Sequence, residues 1–293
     1  MNNEQLRFTV SFFSKFCVYG CLMAIIVLAT GYAAPGQSFT FMTFNIRYDN
    51  PDDGPDHWKH RKEDMAGFIA EKDPVIFGIQ EGLLHQVQYL DQWLSDYQYI
   101  GVGREDGMTK GEYCAIFYQT EKVRLLNSDT FWLSETPGEI SVGWDAALPR
   151  ICTYGLFEDV RSGKNFWVFN THFDHRGVSA RTNSASLLTD QIKSINSQQL
   201  PVILMGDFNA TIEEKPIQII KSQLKDCQDI SSKPLKGPAG TVNGFTEVQS
   251  RIIDFIFCSG FSVYSIEHVV ARTSEGRHLS DHLPVVVESS LNN

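Results

Sequence analysis

The chain has 293 residues, 42% of them hydrophobic and 20% charged, which is enough to bury a sizeable core within one large domain. Its formal charge of −10 excludes the broadly basic surface of a nonspecific nucleic-acid binder. Either the substrate is small, or any positive field is local and partly supplied by a metal.

Residues 1–33 read as an export leader. Arg7 and Lys15 lie near the start, an apolar run from Phe16 to Thr30 follows, and Gly31-Tyr32-Ala33 offers small residues for cleavage. An uncleaved anchor is the alternative, although the run is short of the roughly 20 apolar residues that a spanning helix needs. Cleavage would leave one exported domain, periplasmic or secreted, over residues 34–293. Losing Arg7, Lys15 and Glu4 with the leader makes the remainder no less acidic.

Short apolar, aromatic and β-branched runs then recur: Phe39–Ile46, Val75–Ile79, Tyr113–Tyr118, Ile151–Val160, Phe166–Thr171, Val202–Met205, Ile252–Cys258 and Leu283–Val287. Each has the length of a strand. Helical spacing appears over Gln86–Leu94, through Val87, Leu90 and Leu94, and over Val178–Asn196, through Ala185, Leu188, Ile192 and Ile195. Strands outnumber helices, which suggests two packed sheets with helices outside, but periodicity alone does not choose this over an open sheet. Cys114, Cys152 and Cys258 fall inside apolar runs, and with Cys227 they read as buried thiols.

Polar residues cluster at the ends of these runs. Asn45, Glu81, His172, Asp207 and Asn209 sit at the carboxyl ends of predicted strands. Alternation points Asp207 and Asn209 the same way if the extended geometry persists. Asp254 interrupts Ile252-Ile253-Asp254-Phe255-Ile256-Phe257, where an unpaired carboxylate is costly, so a cation or donor must meet it. Asp281-His282 precedes the last apolar run, and an imidazole beside a carboxylate can serve as an oriented general base. Taken singly, Gly-Asp-Phe-Asn is more often a turn and a lone histidine more often a core residue.

The ordered series Asn45, Glu81, His172, Asp207-Phe-Asn209, Asp254, Asp281-His282 resembles the endonuclease/exonuclease/phosphatase superfamily. The resemblance runs from Phe39 to Val287. It is nearest to small exported bacterial members, in the wording Asn-Ile-Arg-Tyr-Asp-Asn (45–50), Gly-Trp-Asp-Ala-Ala-Leu-Pro-Arg (143–150), Asn-Thr-His-Phe-Asp-His-Arg-Gly (170–177) and Ser-Asp-His-Leu-Pro (280–284). It implies a four-layer α/β sandwich, two mixed sheets flanked by helices. The implied chemistry is hydrolysis of a phosphate ester with magnesium, or manganese in its place, as cofactor.

Residue by residue, the resemblance makes Glu81, Asn45 and Asp281 the metal ligands. Asp207 and Asn209 position the nucleophile and a phosphoryl oxygen, His282 is the base oriented by Asp254, and His172 stabilises the phosphoryl group or assists the leaving group. Arg150 faces the phosphate. Beside the resemblance, His175 is a further candidate substrate contact, and Trp58 and Tyr113 read as core aromatics first and substrate contacts second, Trp58 because it lies in the polar loop after Asn45. A phosphodiester is the first expectation, with a nucleotide, oligonucleotide or phospholipid headgroup as substrate. A sugar or inositol phosphomonoester is the second, and a catalytically silent binding module on the same fold is the remote alternative, disfavoured because Glu81, Asp207, Asn209 and His282 are all present. No protein partner is implied and a monomer is expected. Gly82 and Phe255 depart from the common wording without touching a proposed site position.

Overall fold

A computed structural model describes residues 38–292, so the leader expected at the amino terminus lies outside the described residues. The elements in order are β1 (Ser38–Asn45), α1 (Trp58–Lys72), β2 (Ile76–Gln80), α2 (Leu84–Trp93), β3 (Tyr97–Ile100), β4 (Ile116–Gln119), β5 (Val123–Trp132), β6 (Ile151–Asp159) and β7 (Asn165–His172). They continue with α3 (Val178–Ile195), β8 (Val202–Asp207), α4 (Lys215–Lys221), β9 (Lys225–Asp226), α5 (Cys227–Ile230), β10 (Asp254–Ser259), β11 (Phe261–His268) and β12 (Val285–Leu291).

The strands form two six-stranded sheets, ordered β11-β12-β1-β2-β4-β3 and β5-β6-β7-β8-β10-β9. Each has one parallel pair, β1 with β2 and β7 with β8, and its other pairs are antiparallel. Strand alternation sorts the core into three apolar layers. Phe39, Phe41, Ile76, Ile116, Phe166, Val168, Ile203, Met205, Ile256 and Val287 meet between the sheets. Met42, Phe44, Phe77 and Val286 turn the other way onto Met65 and Ile69 of α1 and Val87 and Leu90 of α2. Phe169, Leu204 and Phe257 likewise meet Leu188 and Ile192 of α3 and Ile217 and Ile220 of α4. This is the four-layer sandwich, helices on sheet on sheet on helices. The middle layer is rich in phenylalanine, with Phe166 edge-on to Phe39 at 5.4 Å and to Phe261 at 5.8 Å between ring centroids.

The eight runs read from sequence all form strands. The periodic signal missed β3, β5, β9 and β11, and also α1, α4 and α5. Helix α1 buries Arg61 alongside Met65, Ala66 and Ile69, so its inner face lacks a continuous apolar stripe. Cys114, Cys152, Cys227 and Cys258 are all buried free thiols.

Asp226 is 5% exposed and caps α5, its carboxylate accepting from Gln228 N at 2.9 Å. Burial pushes its carboxyl up to about 6, against that N–H, with Asp229 adding to the rise. A raised carboxyl makes the folded state bind the extra proton. Stability from this group is therefore full below the ordinary value of 3.8 and is lost as pH rises through about 6. Asp226→Asn keeps the cap without the buried charge. It is expected to stabilise the fold by about 1–3 kcal/mol above pH 7, with the gain vanishing towards pH 4. Urea unfolding of both proteins at pH 4.5 and pH 8 checks this, and a gain independent of pH would refute it.

Candidate active site

The alternation that builds the middle layer also assembles the polar end of the sandwich. Asp207 continues the face of Ile203 and Met205, His172 that of Phe166 and Val168, and Asp254 that of Ile256 and Cys258. From the other sheet, Asn45 continues the face of Phe39 and Phe41. Asp207 pairs in register with His172 on β7 and with Asp254 on β10. All these side chains project between the sheets at one edge. That edge collects the carboxyl ends of β1, β2, β7 and β8 and, because their neighbours run antiparallel, the amino-terminal starts of β4, β6, β10 and β12. Behind it lies a polar seam, in which Gln80 Nε2 donates to Thr43 Oγ1 (3.0 Å) and Asn170 Oδ1 (2.7 Å). Gly78 makes room for the seam, since a Cβ there would lie 2.6 Å from the Asn170 side chain.

A pocket of about 410 Å³ opens at this edge, lined by Arg47, Tyr48, Glu81, Glu112, Leu148, Arg150, His172, His175, Asp207, Asn209 and His282. Hollows of about 560 Å³ lined by Phe131 and Trp132 and of about 570 Å³ beside the end of α3 gather no comparable group of ionisable residues, and one of about 520 Å³ beside α1 has Glu63, Asp64, Glu71, Lys72 and Arg272 but no histidine.

Asn45 joins the two sheets. Its Nδ2 donates to Glu81 Oε1 and to Asp207 Oδ2, both at 3.0 Å, while its Oδ1 accepts from Arg47 N at 3.0 Å. Glu81 Oε2 accepts from Tyr48 N at 3.1 Å. Arg47, Glu81 and Asn209 have φ of 58°, 64° and 48°. Left-handed backbone is uncommon for such residues and collects at functional sites.

His282 Nδ1 lies 2.9 Å from Asp254 Oδ2. An ionised carboxylate only accepts, so Nδ1 carries the hydrogen and Nε2 faces Asp207 Oδ2 at 3.9 Å. Burial lowers the proton affinity of this imidazole, but the carboxylates of Asp254 and Asp207 outweigh it and hold the group well above its ordinary value. Burial, with Asp254 beside it, pushes Asp207 up to about 7. The three residues thus form one charge-coupled unit.

His172 behaves oppositely. Burial and the cations of Arg150 and Arg104 hold it well below its ordinary value. Asn209 Nδ2 donates to Phe173 O (3.0 Å), which fixes the amide, and also to His172 Nε2 (3.0 Å). The hydrogen of this neutral ring is therefore on Nδ1, facing Glu112 Oε2 at 3.9 Å. Glu112 is in turn bound by the buried Arg104 at 2.7 Å.

Arg150, 4% exposed, donates from Nη2 to His175 Nδ1 (2.9 Å) and from Nε to Asp174 Oδ2 (3.4 Å), while its buried Nη1 has no partner. Against burial, the N–H groups of Gly177, Arg176 and Ala147, together with Arg150, pull Asp174 down to about 2.

Of the candidate residues, the pocket gathers Glu81, Arg150, His172, His175, Asp207, Asn209 and His282, with Asn45 and Asp254 bonded directly to them. Asp281 stands beside them, its Oδ2 3.8 Å from Arg47. Trp58 does not line the pocket. It opens α1 and is 4% exposed, packed edge-on to Tyr89, which makes it a core residue and not the substrate contact that the sequence held as second reading. Tyr113 is also buried, and its hydroxyl is spent on Met108 O at 2.8 Å. Sequence reasoning missed Arg47, Tyr48, Glu112, Leu148 and the supporting Asp174.

The donor set fits a divalent cation. Glu81, Asp281 and Asn45 Oδ1 are hard oxygen donors. Burial raises the carboxyls of Glu112 and Asp281 against the opposing charges of Arg104 and His282, and Glu81 adds to both rises, a repulsion that a cation would relieve. Asp207, Asp254 and His282 also offer ligand atoms within 4.8 Å of one another. That set includes an imidazole already tied to Asp254, which suits a base better than a ligand for a hard cation.

Residues 42–282 match the model of the endonuclease/exonuclease/phosphatase family. A family protein from Bacteroides vulgatus is 39% identical with a TM-score of 0.83, the match covering 87% of this chain and 100% of that one. A mannosyl-6-phosphatase from Bacteroides thetaiotaomicron is 38% identical with a TM-score of 0.83, covering 86% and 100%. The uncharacterized protein L388 of Acanthamoeba polyphaga mimivirus is 30% identical over 159 residues, which are 52% of this chain and 59% of that protein's length. The family's members are phosphoric ester hydrolases, generally dependent on a divalent metal. This chain belongs to the endonuclease/exonuclease/phosphatase family and is a phosphoesterase.

Proposed function

We propose that the chain is a magnesium-dependent phosphatase that hydrolyses a small phosphomonoester, of the size of a sugar phosphate, by attack of water activated at His282. The observation that carries the reading is the small pocket in which the buried Arg150 lines one cavity with the carboxylates of Glu81, Glu112 and Asp207 and with His282. A guanidinium in the wall suits a phosphate, and the pocket's volume of about 410 Å³ suits one small ligand. The acidic net charge and the similarity to a mannosyl-6-phosphatase add support for a small monoester over the diester that the sequence put first.

In this mechanism Asp254 keeps the hydrogen on His282 Nδ1, so Nε2 is free to take a proton from water. Asp207 and the Asn209 amide orient that water and a phosphoryl oxygen, and the neutral His172 holds Asn209 in place. Arg150 binds the phosphate, while Arg47, Tyr48, Leu148 and His175 surround the alcohol. A divalent ion held by Glu81, Asn45 and Asp281 supplies charge neutralisation at the phosphoryl and leaving oxygens and opposes the upward pull on His282.

A panel of hexose and inositol phosphates, p-nitrophenyl phosphate, its bis ester and oligonucleotides, with magnesium and with chelator, tests the reading. Magnesium-dependent phosphate release from the monoesters supports it. Preference for the diesters would restore the first expectation, and turnover unaffected by chelator would overturn the metal assignment.

A further inference from the structure

The two halves of the candidate metal site come from distant parts of the chain, Asn45 and Glu81 at the ends of β1 and β2 and Asp281 in the turn before β12. One buried side chain spans the backbone of both. Arg61, 1% exposed on α1, donates from Nη1 to Ile46 O at 3.0 Å and to Leu279 O, from Nη2 to Arg47 O at 3.4 Å, and from Nε to Asp56 O. Among the described residues no carboxylate is hydrogen-bonded to it, and all four of these acceptors are main-chain carbonyls. The rings of Trp58 and Phe245 close over the guanidinium, with centroids 5.7 and 5.4 Å from its carbon. A second tie runs alongside, Ser280 Oγ donating to Asn45 O at 2.7 Å.

A buried arginine whose hydrogen bonds all go to carbonyls is costly unless its geometry is needed, since the carboxylates of Asp281, Asp53 and Asp56 offset its desolvation only through space. The planar fork meets acceptors in two loops at once, which an ammonium on a flexible stem cannot reproduce. We propose that Arg61 is the positioning residue that sets the span between the two halves of the metal site, and so its affinity for magnesium. The proposal rests on the metal reading above. It adds that the ion's binding strength is governed by a residue that touches neither ion nor substrate.

The test is calorimetric titration of the intact chain and of Arg61→Lys with magnesium, beside thermal melting and kcat. Lysine keeps the charge and loses the fork. The expected result is a cooperatively folded variant that binds magnesium about 10- to 100-fold more weakly, the usual effect of disturbing groups that orient ligands. Its kcat at saturating magnesium should stay near the parent's. Unchanged magnesium affinity with a lower melting temperature would overturn the proposal and leave Arg61 a purely structural brace. If Arg61→Lys does not fold, Ser280→Ala cuts the parallel tie, and weaker magnesium binding supports the proposal while unchanged binding refutes it. Failure of the parent itself to bind magnesium would sink the metal reading instead, and the parent titration shows that separately.

Discussion

His282→Ala is expected to lower kcat on the best monoester by about 10²- to 10⁴-fold, the range that a positioned proton acceptor contributes. The loss should fall on kcat, because the groups assigned to phosphate and alcohol remain in place. The substitution also strands Asp254, 1% exposed, beside Asp207 without the imidazole that now offsets both. That should cost about 1–3 kcal/mol of stability. Adding Asp254→Asn removes the stranded charge, so the double variant should recover much of the stability and none of the rate. Kinetics and urea unfolding of the three proteins decide the matter. A His282→Ala enzyme within tenfold of the parent in kcat would remove His282 from the chemistry.

Glu81→Gln separates the metal from the fold. Glutamine keeps the length of the side chain and an oxygen to accept from Asn45 Nδ2, but it lacks the charge. Magnesium affinity is expected to fall about 10- to 100-fold or more, with turnover at fixed magnesium falling alongside. Without metal the variant should melt close to the parent, because losing the charge relieves the upward push on the buried Asp281 and Glu112 carboxyls while the amide nitrogen in place of Oε2 cannot accept from Tyr48 N. A site that binds a cation holds repulsion which the empty fold would be better without. Calorimetric titration and melting in chelator check the two halves. Parent-like magnesium affinity in Glu81→Gln would place the ion elsewhere, with the Asp207, Asp254 and His282 cluster the next candidate.

Much of this site is visible in the sequence because strand ends expose it. An apolar run that stops at a polar residue, as before Asn45, Glu81, His172 and Asp207, announces a side chain at the rim of the core. Asp254 announces itself by interrupting such a run. Glu112 gives no such sign, since it lies just before its strand. Only the antiparallel pairing of β4 with β2 brings that start to the working edge. Arg47 and Asp174 give no sign at a strand end either, one held bidentately by Asp53 six residues on and the other by the nearby N–H groups of Arg176 and Gly177 with that of the distant Ala147. Arg61 was hidden with its helix, because a buried arginine breaks the apolar stripe that reveals an amphipathic segment. With α1 unrecognised, the sequence leaves Trp58 open between core and cleft. The packing of the sheets was open on periodicity alone, and the ordered motif resolved it only through resemblance.

Asn45 reaches across the gap between the sheets to Asp207, and the opposed ends of both layers supply the working groups. Neither sheet holds a usable fraction of the site by itself. A folding intermediate with both sheets formed but not yet docked would therefore have nearly all its secondary structure and no activity. Recovery of turnover during refolding should mark the docking of the two halves of the molecule, which makes the enzyme's own catalysis a clock for the last step of its assembly.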